Sequence, residues 1–558
     1  MEKQAEIITG ASGGIERLLH PVALDGWNTS HIDLKRELLI FFFILSFAVL
    51  CYLTIISNYF VSDDFSLIER VVQQGMFYSW GESHGGFLRP IIILSYLIDY
   101  KFWNLNPVGY HLTNIIFHAI AAYALYIISC SLMDKARYQN GRALSFLAAC
   151  LFVALPCHSE SVSWIAGRTD VIATAFGFMA TAVFFFIMRR GSLFLSGLAL
   201  LLFSLAILTK ESIIILPFIW FLLYVYCWWV ENARPSNCSL ITLGLACFLL
   251  IGYFGLRKAM IGHFIGGYGT EQHISLIHIQ TLFNIYQYII RTFLPAFPLR
   301  FSDPLPLSAI GFLIGIGVIP AFTLYRKMSL AHHWLIFIFM MACYLVSLVP
   351  VATMKVSIFD TQNERFLYLP SGFACIIAAS FIGVIFRSRF IQNSVLVVFV
   401  LIFTLTLQWV NTRWVTASIL SKEIADEISK MDLDSIVVLN VPDNYQGAYV
   451  FHNGLHEAVT LFAGKKAGRQ LGCLQAIAYH NLISLQQIIK VDASGASILI
   501  DFPSRLDFYE IGQKMFPTKH EGQTLSVFMS NDQRFNKLKF LSFKSGADIP
   551  MLQAIAFR

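Results

Sequence analysis

Long apolar blocks of similar length recur along most of this 558-residue chain. A helix needs about 20 apolar residues to cross a bilayer, and most of the blocks approach that length. Because a backbone in lipid must satisfy its own hydrogen bonds, the blocks predict membrane-spanning helices. The predicted fold class is therefore a polytopic α-helical membrane protein with about eleven spans. They lie at 38–60, 110–132, 143–157, 171–188, 192–208, 212–230, 239–256, 307–325, 334–353, 366–386 and 392–411.

The composition agrees with a membrane protein, since 56% of the residues are hydrophobic and only 13% are charged. Soluble domains carry about 25% charged residues. This excludes a disordered chain, a secreted disulfide scaffold and an ordinary cytosolic enzyme. The net charge of +6 does not indicate a nucleic-acid partner, because the basic residues form no stripe. Membrane lipids are the expected surroundings.

Basic residues at the ends of the blocks predict the orientation of the chain. We expect residues 1–37 to be a cytoplasmic segment without a cleavable signal, so the first block stays as a span. Segment 279–298 is then an interfacial helix on the opposite face. The following basic residues fall together on the cytoplasmic side: Lys135, Arg137, Arg142, Arg189, Arg190, Arg234, Arg326, Lys327, Arg387 and Arg389.

The composition changes at about residue 415. Segments 435–441, 496–502 and 524–530 have the pattern of short strands, and 421–430 that of an amphipathic helix. We predict a transmembrane domain at 38–414, with a first outer loop at 61–109. A small soluble α/β domain at 415–558 follows, on the non-cytoplasmic side.

Charged and polar residues that interrupt the apolar pattern are predicted to share that outer face. They are Asp63, Asp64, His84, Arg89, His158, Glu160, Arg168, Asp170, Lys210, Glu211, Glu364 and Arg365. Converging charge in a membrane protein indicates a functional site. A transporter or lipid flippase would instead place charge near the bilayer midplane, so that alternative is disfavoured.

Asp63 and Asp64 follow the first span directly. Neighbouring carboxylates can supply a general base, because proximity raises one of the two pKa values. They can also hold a divalent cation. A third interpretation is structural, since an aspartate at this point would cap a short helix. The spacing alone leaves these alternatives open.

Arg89, Lys210 and Arg365 come from separate segments and would suit one phosphate group. Two structural alternatives stand beside this hypothesis. Arg89 would reach the lipid headgroups, and Lys210 would pair with its neighbour Glu211.

A tight excursion between two spans holds His158, Glu160, Arg168 and Asp170. It is either a salt-bridged hairpin or part of a ligand site, because polar groups at membrane depth are costly. His111, Asn114 and His118 share one helix face, which we interpret as hydrogen bonding between helices.

These motifs together resemble one family. They are Asp63-Asp64, FLRP at 87–90, NPVGYH at 106–111 with Asn114 and His118, Pro156 with HSE at 158–160, GRTD at 167–170, TKES at 209–212 and ERFLYLP at 364–370. The series is similar to the transmembrane O-mannosyltransferases that carry tetratricopeptide repeats, and to their bacterial relatives, within the GT-C class of glycosyltransferases. The resemblance covers roughly residues 38–414.

The resemblance implies a donor of the polyprenyl-phosphate-sugar type and an inverting transfer, with mannose as the expected sugar. The acceptor is a protein Ser or Thr hydroxyl, or else a lipid or polysaccharide. Asp63 or Asp64 would be the base, and Arg89, Lys210 and Arg365 would contact phosphate. His84, the 158–170 cluster, Glu211 and Glu364 would surround the substrate. A divalent cation stays open.

The expected location is a bacterial inner membrane, with a periplasmic active site. No tetratricopeptide repeats follow the last span, so the acceptor is not identified by the resemblance. The segment 439–455 looks like the tails of bacterial relatives and has no assigned role.

Overall fold

The computed structural model describes residues 34–78, 86–136, 138–231, 234–264, 279–295, 331–358, 360–429 and 435–463. It also describes the strand segments 473–479, 489–491, 497–501, 508–512, 518–521, 524–528, 539–545 and 550–556. The predictions for residues 1–33, for His84 and for a span at 307–325 lie outside this part of the chain.

Helices make up most of the described chain up to residue 429. In chain order they are α1 (Leu34–Cys51), α2 (Asp63–Tyr78), α3 (Pro90–Trp103), α4 (Pro107–Lys135), α5 (Gly141–Ala154), α6 (Ser159–Ser163), α7 (Arg168–Arg190), α8 (Leu193–Ile207), α9 (Leu216–Glu231), α10 (Asn237–Ile261), α11 (Ile279–Phe293), α12 (Ala331–Leu348), α13 (Tyr368–Ile385), α14 (Arg389–Ser429) and α15 (Leu455–Ala463). Short 3-10 turns precede α6, α9 and α13, at Pro156–His158, Glu211–Ile215 and Glu364–Leu367.

Six of the described helices are long and apolar enough to span a membrane, or seven if one bent pair is a single span. The bent pair is Gly141–Ala154 with Pro156–Ser163, at 53°. Proline at the break explains the bend, because its ring cannot continue the hydrogen-bonded helix. The protein is therefore an integral, multi-pass membrane protein. The count of eleven spans stays a prediction.

Capping residues set several helix ends. The side chain of Asn106 accepts the N–H of Val108 at 3.1 Å, and Pro107 occupies the first position of α4, where a missing N–H costs nothing. At the other end of a span, Gly191 adopts a left-handed φ of 61° and ends α7. Glycine takes that conformation without steric penalty.

The spans differ in how deeply they are buried. Helices α4 and α7 lie at the centre, with most of their residues buried, whereas α10 and α14 expose apolar side chains along much of their length. Such exposed apolar faces suit contact with lipid. Segment 279–298, predicted to be interfacial, forms α11, which does not have the length and apolarity of a span.

Helix α14 runs for 41 residues without a break at position 414, so the amphipathic segment 421–430 continues the last span. Beyond it lie the strands β1 (Ser435–Pro442), β2 (Asn444–Tyr445), β3 (Ala448–Tyr449), β4 (Cys473–Tyr479), β5 (Ile489–Val491), β6 (Ser497–Asp501), β7 (Phe508–Gly512), β8 (Thr518–Glu521), β9 (Thr524–Phe528), β10 (Lys539–Ser545) and β11 (Pro550–Ala556). The three strands predicted from sequence are confirmed as β1, β6 and β9.

The strands form a mixed five-stranded sheet in the order β11-β10-β1-β4-β7, a four-stranded antiparallel sheet in the order β5-β6-β9-β8, and the β2–β3 hairpin. Strand β1 runs parallel to both of its neighbours. The hairpin and α15 both contact α14, so the chain returns to the end of the helical bundle after β1.

Candidate active site

Asp64 is buried at the start of α2, and backbone groups hold its carboxylate. Its Oδ2 accepts the N–H of Val61 at 3.0 Å, and its Oδ1 accepts the N–H of Ala166 at 2.8 Å. Burial raises the pKa of this carboxyl to about 7, although the two backbone hydrogen bonds act in the opposite direction. Asp64 therefore fastens the loop after α1 to the turn that precedes α7.

Asp63 differs from its neighbour, because its side chain is partly exposed. Ser62, just before it, has a left-handed φ of 48°, which is uncommon for a residue other than glycine. A helix cap would accept an N–H further along the helix. Asp64 instead accepts the N–H of Val61, three residues earlier. This contact differs from the helix cap that the sequence suggests.

Residues 448–454 pack directly on this aspartate loop. The N–H of Ser62 donates to the carbonyl of Val450 at 2.9 Å, and the Ser62 hydroxyl donates to Asn453 Oδ1 at 3.1 Å. The rings of Phe65 and Phe451 stack with centroids 5.7 Å apart. The left-handed turn at Ser62 is therefore held by a segment nearly 400 positions later in the chain.

His452 lies in the same segment. Its Nδ1 is 2.7 Å from Oδ1 of Asp443, whose carboxylate is buried, while the imidazole side chain itself is 52% exposed. The hydrogen bond to Asp443 raises the pKa of His452, and the charge of Asp63 acts in the same direction.

The three cations predicted to bind phosphate are each paired with a carboxylate. Arg89 contacts Glu211 at 2.5 Å, Lys210 contacts Asp170 at 2.5 Å, and Arg365 contacts Glu160 at 2.7 Å. The suggested pair between Lys210 and its neighbour Glu211 is wrong, because each of them has a partner from another segment.

Aromatic rings connect these ion pairs to the aspartate loop. The ring of Phe366 lies 5.2 Å from both Lys210 Nζ and Arg365 Cζ. Arg365 Cζ also lies 5.2 Å from the ring of Trp164, which is two residues from the backbone group that binds Asp64. Five of the predicted site residues thus lie around one end of the helical bundle: Asp63, Asp64, Lys210, Glu160 and Arg365.

Arg168 is completely buried, and its hydrogen bonds connect three parts of the helical bundle. Its Nη1 donates to Asp99 Oδ2 at 2.6 Å, its Nη2 to the carbonyl of Tyr110 at 2.9 Å, and its Nε to the carbonyl of Ile165 at 3.2 Å. It therefore joins α3, α4 and the turn before α7. The alternative of a salt bridge within the hairpin is wrong for Arg168, because its acidic partner Asp99 lies in α3.

His158 and Glu364 are also buried. His158 Nε2 lies 2.7 Å from the hydroxyl of Ser371, and Glu364 pairs with Arg291 of α11. His118 Nδ1 lies 2.5 Å from the Tyr368 hydroxyl. The prediction of hydrogen bonding between helices is confirmed for His118, and likewise for Asn114, whose amide reaches three backbone carbonyls around α6.

Sequence reasoning missed Asp99, Arg291, Asp443 and His452 as members of this network. Asp99 interrupts the apolar sequence of α3, which is a signal that could have found it. Asp443 and His452 lie in segment 439–455, whose resemblance to the tails of bacterial relatives assigns them no role, and the segment contacts Ser62 and Phe65 near the start of the chain. Among the described residues, no three His, Cys, Asp or Glu side chains are arranged to hold a metal ion.

No protein-family model matches the chain. Curated relatives do match it. The chain is 24% identical over 380 residues to a protein O-mannosyl-transferase of Caenorhabditis elegans, an alignment that covers 62% of this chain and 51% of that protein. It is 32% identical over 140 residues to a protein O-mannosyl-transferase of Homo sapiens, covering 22% and 15% respectively. The chain spans about half the length of the first of these relatives, and less of the second. The resemblance to O-mannosyltransferases is confirmed.

Among solved structures, the chain is similar to ArnT from Cupriavidus metallidurans bound to undecaprenyl phosphate. The TM-score is 0.46 at 12% identity, over 80% of this chain and 93% of that one. An oligosaccharyltransferase of Archaeoglobus fulgidus gives a TM-score of 0.41 at 10% identity, over 79% and 68%.

The contact between Gly454 and Ser62 yields a test of the aspartate loop. A Cβ on Gly454 would lie 2.3 Å from the Ser62 carbonyl oxygen, and its φ is +78°. We expect Gly454→Ala to lower the rate of the sugar transfer proposed below, because it displaces the loop that carries Asp63. Gly262→Ala is the matched control, because Gly262 has a φ of +84° but no atom within 4 Å of an added Cβ. Equal turnover in the two variants would show that the contact does not position the loop.

The burial of Asp64 predicts a pH dependence of stability. The pKa of Asp64 in the folded state is about 7, above the ordinary value of about 3.9 for an unfolded chain. Between about pH 4 and pH 7, Asp64 is therefore protonated in the folded state and ionised in the unfolded state. Stability contributed by this group therefore falls as the pH rises from about 4 to 7. We expect the melting temperature of Asp64→Asn to fall less steeply across that window than that of the wild type. The exposed Asp426→Asn serves as control, and equal slopes in all three proteins would contradict the assignment.

Proposed function

We propose that the protein is an inverting glycosyltransferase that moves a sugar from a polyprenyl-phosphate donor to an acceptor hydroxyl. Mannose is the proposed sugar, and a protein Ser or Thr is the proposed acceptor. The similarity to protein O-mannosyl-transferases over 62% of the chain supports this reaction. The observation that carries the proposal is the pairing of a partly exposed Asp63 with a buried, fixed Asp64 beside the Arg365 and Lys210 ion pairs.

The two aspartates receive different roles in this proposal. Asp63 is accessible to substrate, and it takes the proton of the acceptor hydroxyl. Asp64 is inaccessible, and its two backbone hydrogen bonds hold the loop that presents Asp63. A base on a fixed loop keeps its geometry during the reaction, which favours catalysis.

The transfer balances in a single displacement. The acceptor oxygen forms a bond to the anomeric carbon on the face opposite the phosphate, and the bond between that carbon and the phosphate oxygen breaks. The electron pair leaves with the polyprenyl phosphate, and the proton passes to Asp63. Cationic side chains at the phosphate stabilise the charge that develops there. The scheme does not depend on a divalent cation.

We place the site on the non-cytoplasmic face, in the periplasm of a bacterial inner membrane, with the GT-C-like architecture and eleven spans predicted from sequence. The position of charge along α7 supports this face. Arg189 and Arg190 end the helix, while Arg168 and Asp170 begin it, so the basic pair and the candidate site lie at opposite ends of one span. The described tail segment 443–454, which contacts the aspartate loop, is then on the same face.

The test is turnover of radiolabelled polyprenyl-phosphate-mannose by the full-length protein in detergent, with a Ser/Thr-rich peptide and a glycolipid as alternative acceptors. We expect Asp63→Asn to lose about 10²–10⁴-fold in kcat, because it removes a general base. The exposed Glu423→Gln is the control and should keep full activity.

Several outcomes of this test decide between alternatives. Labelled peptide supports protein O-glycosylation, whereas labelled glycolipid assigns the same chemistry to a lipid acceptor. Full activity in Asp63→Asn contradicts the assigned base. No turnover by the wild type with mannose or with other polyprenyl-phosphate sugars contradicts the proposed function.

A further inference from the structure

Arg257 is a buried guanidinium near the C-terminal end of α10, with 2% of its surface exposed. Its Nη2 donates to the carbonyl of Gly86 at 2.6 Å, and its Nη1 lies 3.4 Å from the hydroxyl of Tyr253. Its Nε is buried and has no hydrogen-bond partner. One donor of a planar, permanently charged group is therefore left unsatisfied.

No carboxylate of the described chain forms an ion pair with Arg257. This sets it apart from five other buried or partly buried cations, which all have acidic partners: Arg89, Arg168, Lys210, Arg291 and Arg365. An uncompensated buried charge is strongly unfavourable. An anion bound at this point would offset that cost.

Arg257 belongs to the same end of the bundle as the candidate phosphate-binding cations. The carbonyl that it binds, Gly86, lies three residues before Arg89, whose partner is Glu211.

Among the described residues at this end of the bundle, the local charge is unbalanced in favour of an anion. Asp170 and Glu211 neutralise Lys210 and Arg89, and Arg257 is left as a surplus positive charge. A single anionic group would balance it.

We propose that Arg257 binds the phosphate of the polyprenyl-phosphate donor. This inference rests on the proposed function and deepens it, by assigning the leaving group to a residue that is not neutralised within the described protein. The donor is a phosphodiester with one negative charge, and transfer releases a monoester with more. A cation without a carboxylate partner therefore stabilises the departing phosphate more than the bound donor, which is the condition for a contribution to kcat.

A purely structural role makes a different prediction. If Arg257 only holds the Gly86 carbonyl, Arg257→Lys should bind undecaprenyl phosphate as the wild type does, because the lysine ammonium is long enough to donate to that oxygen, whereas the glutamine amide is too short to reach it. Arg257→Lys keeps the charge but loses the planar fork that suits phosphate. Lys258→Gln is the matched control, since Lys258 is the next residue on the helix and is exposed.

The experiment measures the binding of undecaprenyl phosphate to the full-length protein in detergent by thermophoresis, with undecaprenol and phosphatidylglycerol as comparison ligands. Loss of a charge-assisted hydrogen bond is worth about tenfold to a hundredfold in affinity. We therefore expect Arg257→Gln to raise the Kd for undecaprenyl phosphate by that factor and to lower kcat for sugar transfer, because the interaction is stronger with the departing phosphate than with the bound donor. Arg257→Lys should be intermediate, and Lys258→Gln should be unchanged.

An unchanged Kd in Arg257→Gln, with normal turnover, would overturn this inference and leave the proposed function intact. Equal binding of phosphatidylglycerol would assign Arg257 to a membrane headgroup and also overturn it. Failure of the wild type to bind undecaprenyl phosphate or to turn over the donor would contradict both. If Arg257→Gln does not fold, the comparison rests on Arg257→Lys, where a measurable rise in Kd supports the inference and an unchanged Kd contradicts it.

Discussion

The buried guanidinium of Arg168 fixes the geometry on which the candidate site depends. It binds Asp99 and two backbone carbonyls, so that α3, α4 and the turn before α7 share one rigid centre. That turn supplies the Ala166 N–H that holds Asp64. A buried ion pair of this kind is costly to break, because removing one partner leaves an unpaired charge. The orientation of the aspartate loop is thus coupled to the packing of three helices.

Pairing of charge explains how so many ionisable residues exist at one end of an apolar bundle. Arg89, Lys210 and Arg365 come from different segments, and each meets a carboxylate from yet another segment. These pairs lower the cost of burial and hold the segments in register. Among the described residues, no carboxylate pairs with Arg257, and its buried Nε has no hydrogen-bond partner. In this account the paired cations shape the site and the unpaired one binds the phosphate.

Much of the architecture could be predicted from the sequence, because apolar length and the period of the helix are local properties. The helices at the blocks, the strands β1, β6 and β9, and the helix-facing roles of Asn114 and His118 were all within reach of such patterns. The ion-pair partners could not be predicted from such patterns. Glu211 pairs with Arg89 across 122 positions rather than with its neighbour, and sequence spacing carries no information on such contacts.

The tail illustrates the same limit more strongly. Asn453 accepts a hydrogen bond from Ser62 across 391 positions. Only the fold shows that residues 443–454 pack beside the aspartates. A boundary placed at a change of composition separates 415–558 from the transmembrane part. The contacts of Ser62, Phe65 and Val450 instead join the tail to the first outer loop. The described segment 443–454 of the tail therefore forms part of the candidate site.

The central claim is that one end of the bundle holds the donor phosphate at Arg257 and its sugar before Asp63. A cryo-electron microscopy structure of the full-length protein with a non-transferable phosphonate analogue of polyprenyl-phosphate-mannose tests it most directly. The account predicts phosphonate oxygens within hydrogen-bonding distance of the Arg257 guanidinium and the anomeric carbon on the side of Asp63. A headgroup bound away from both residues, or at the opposite end of the spans, would contradict it.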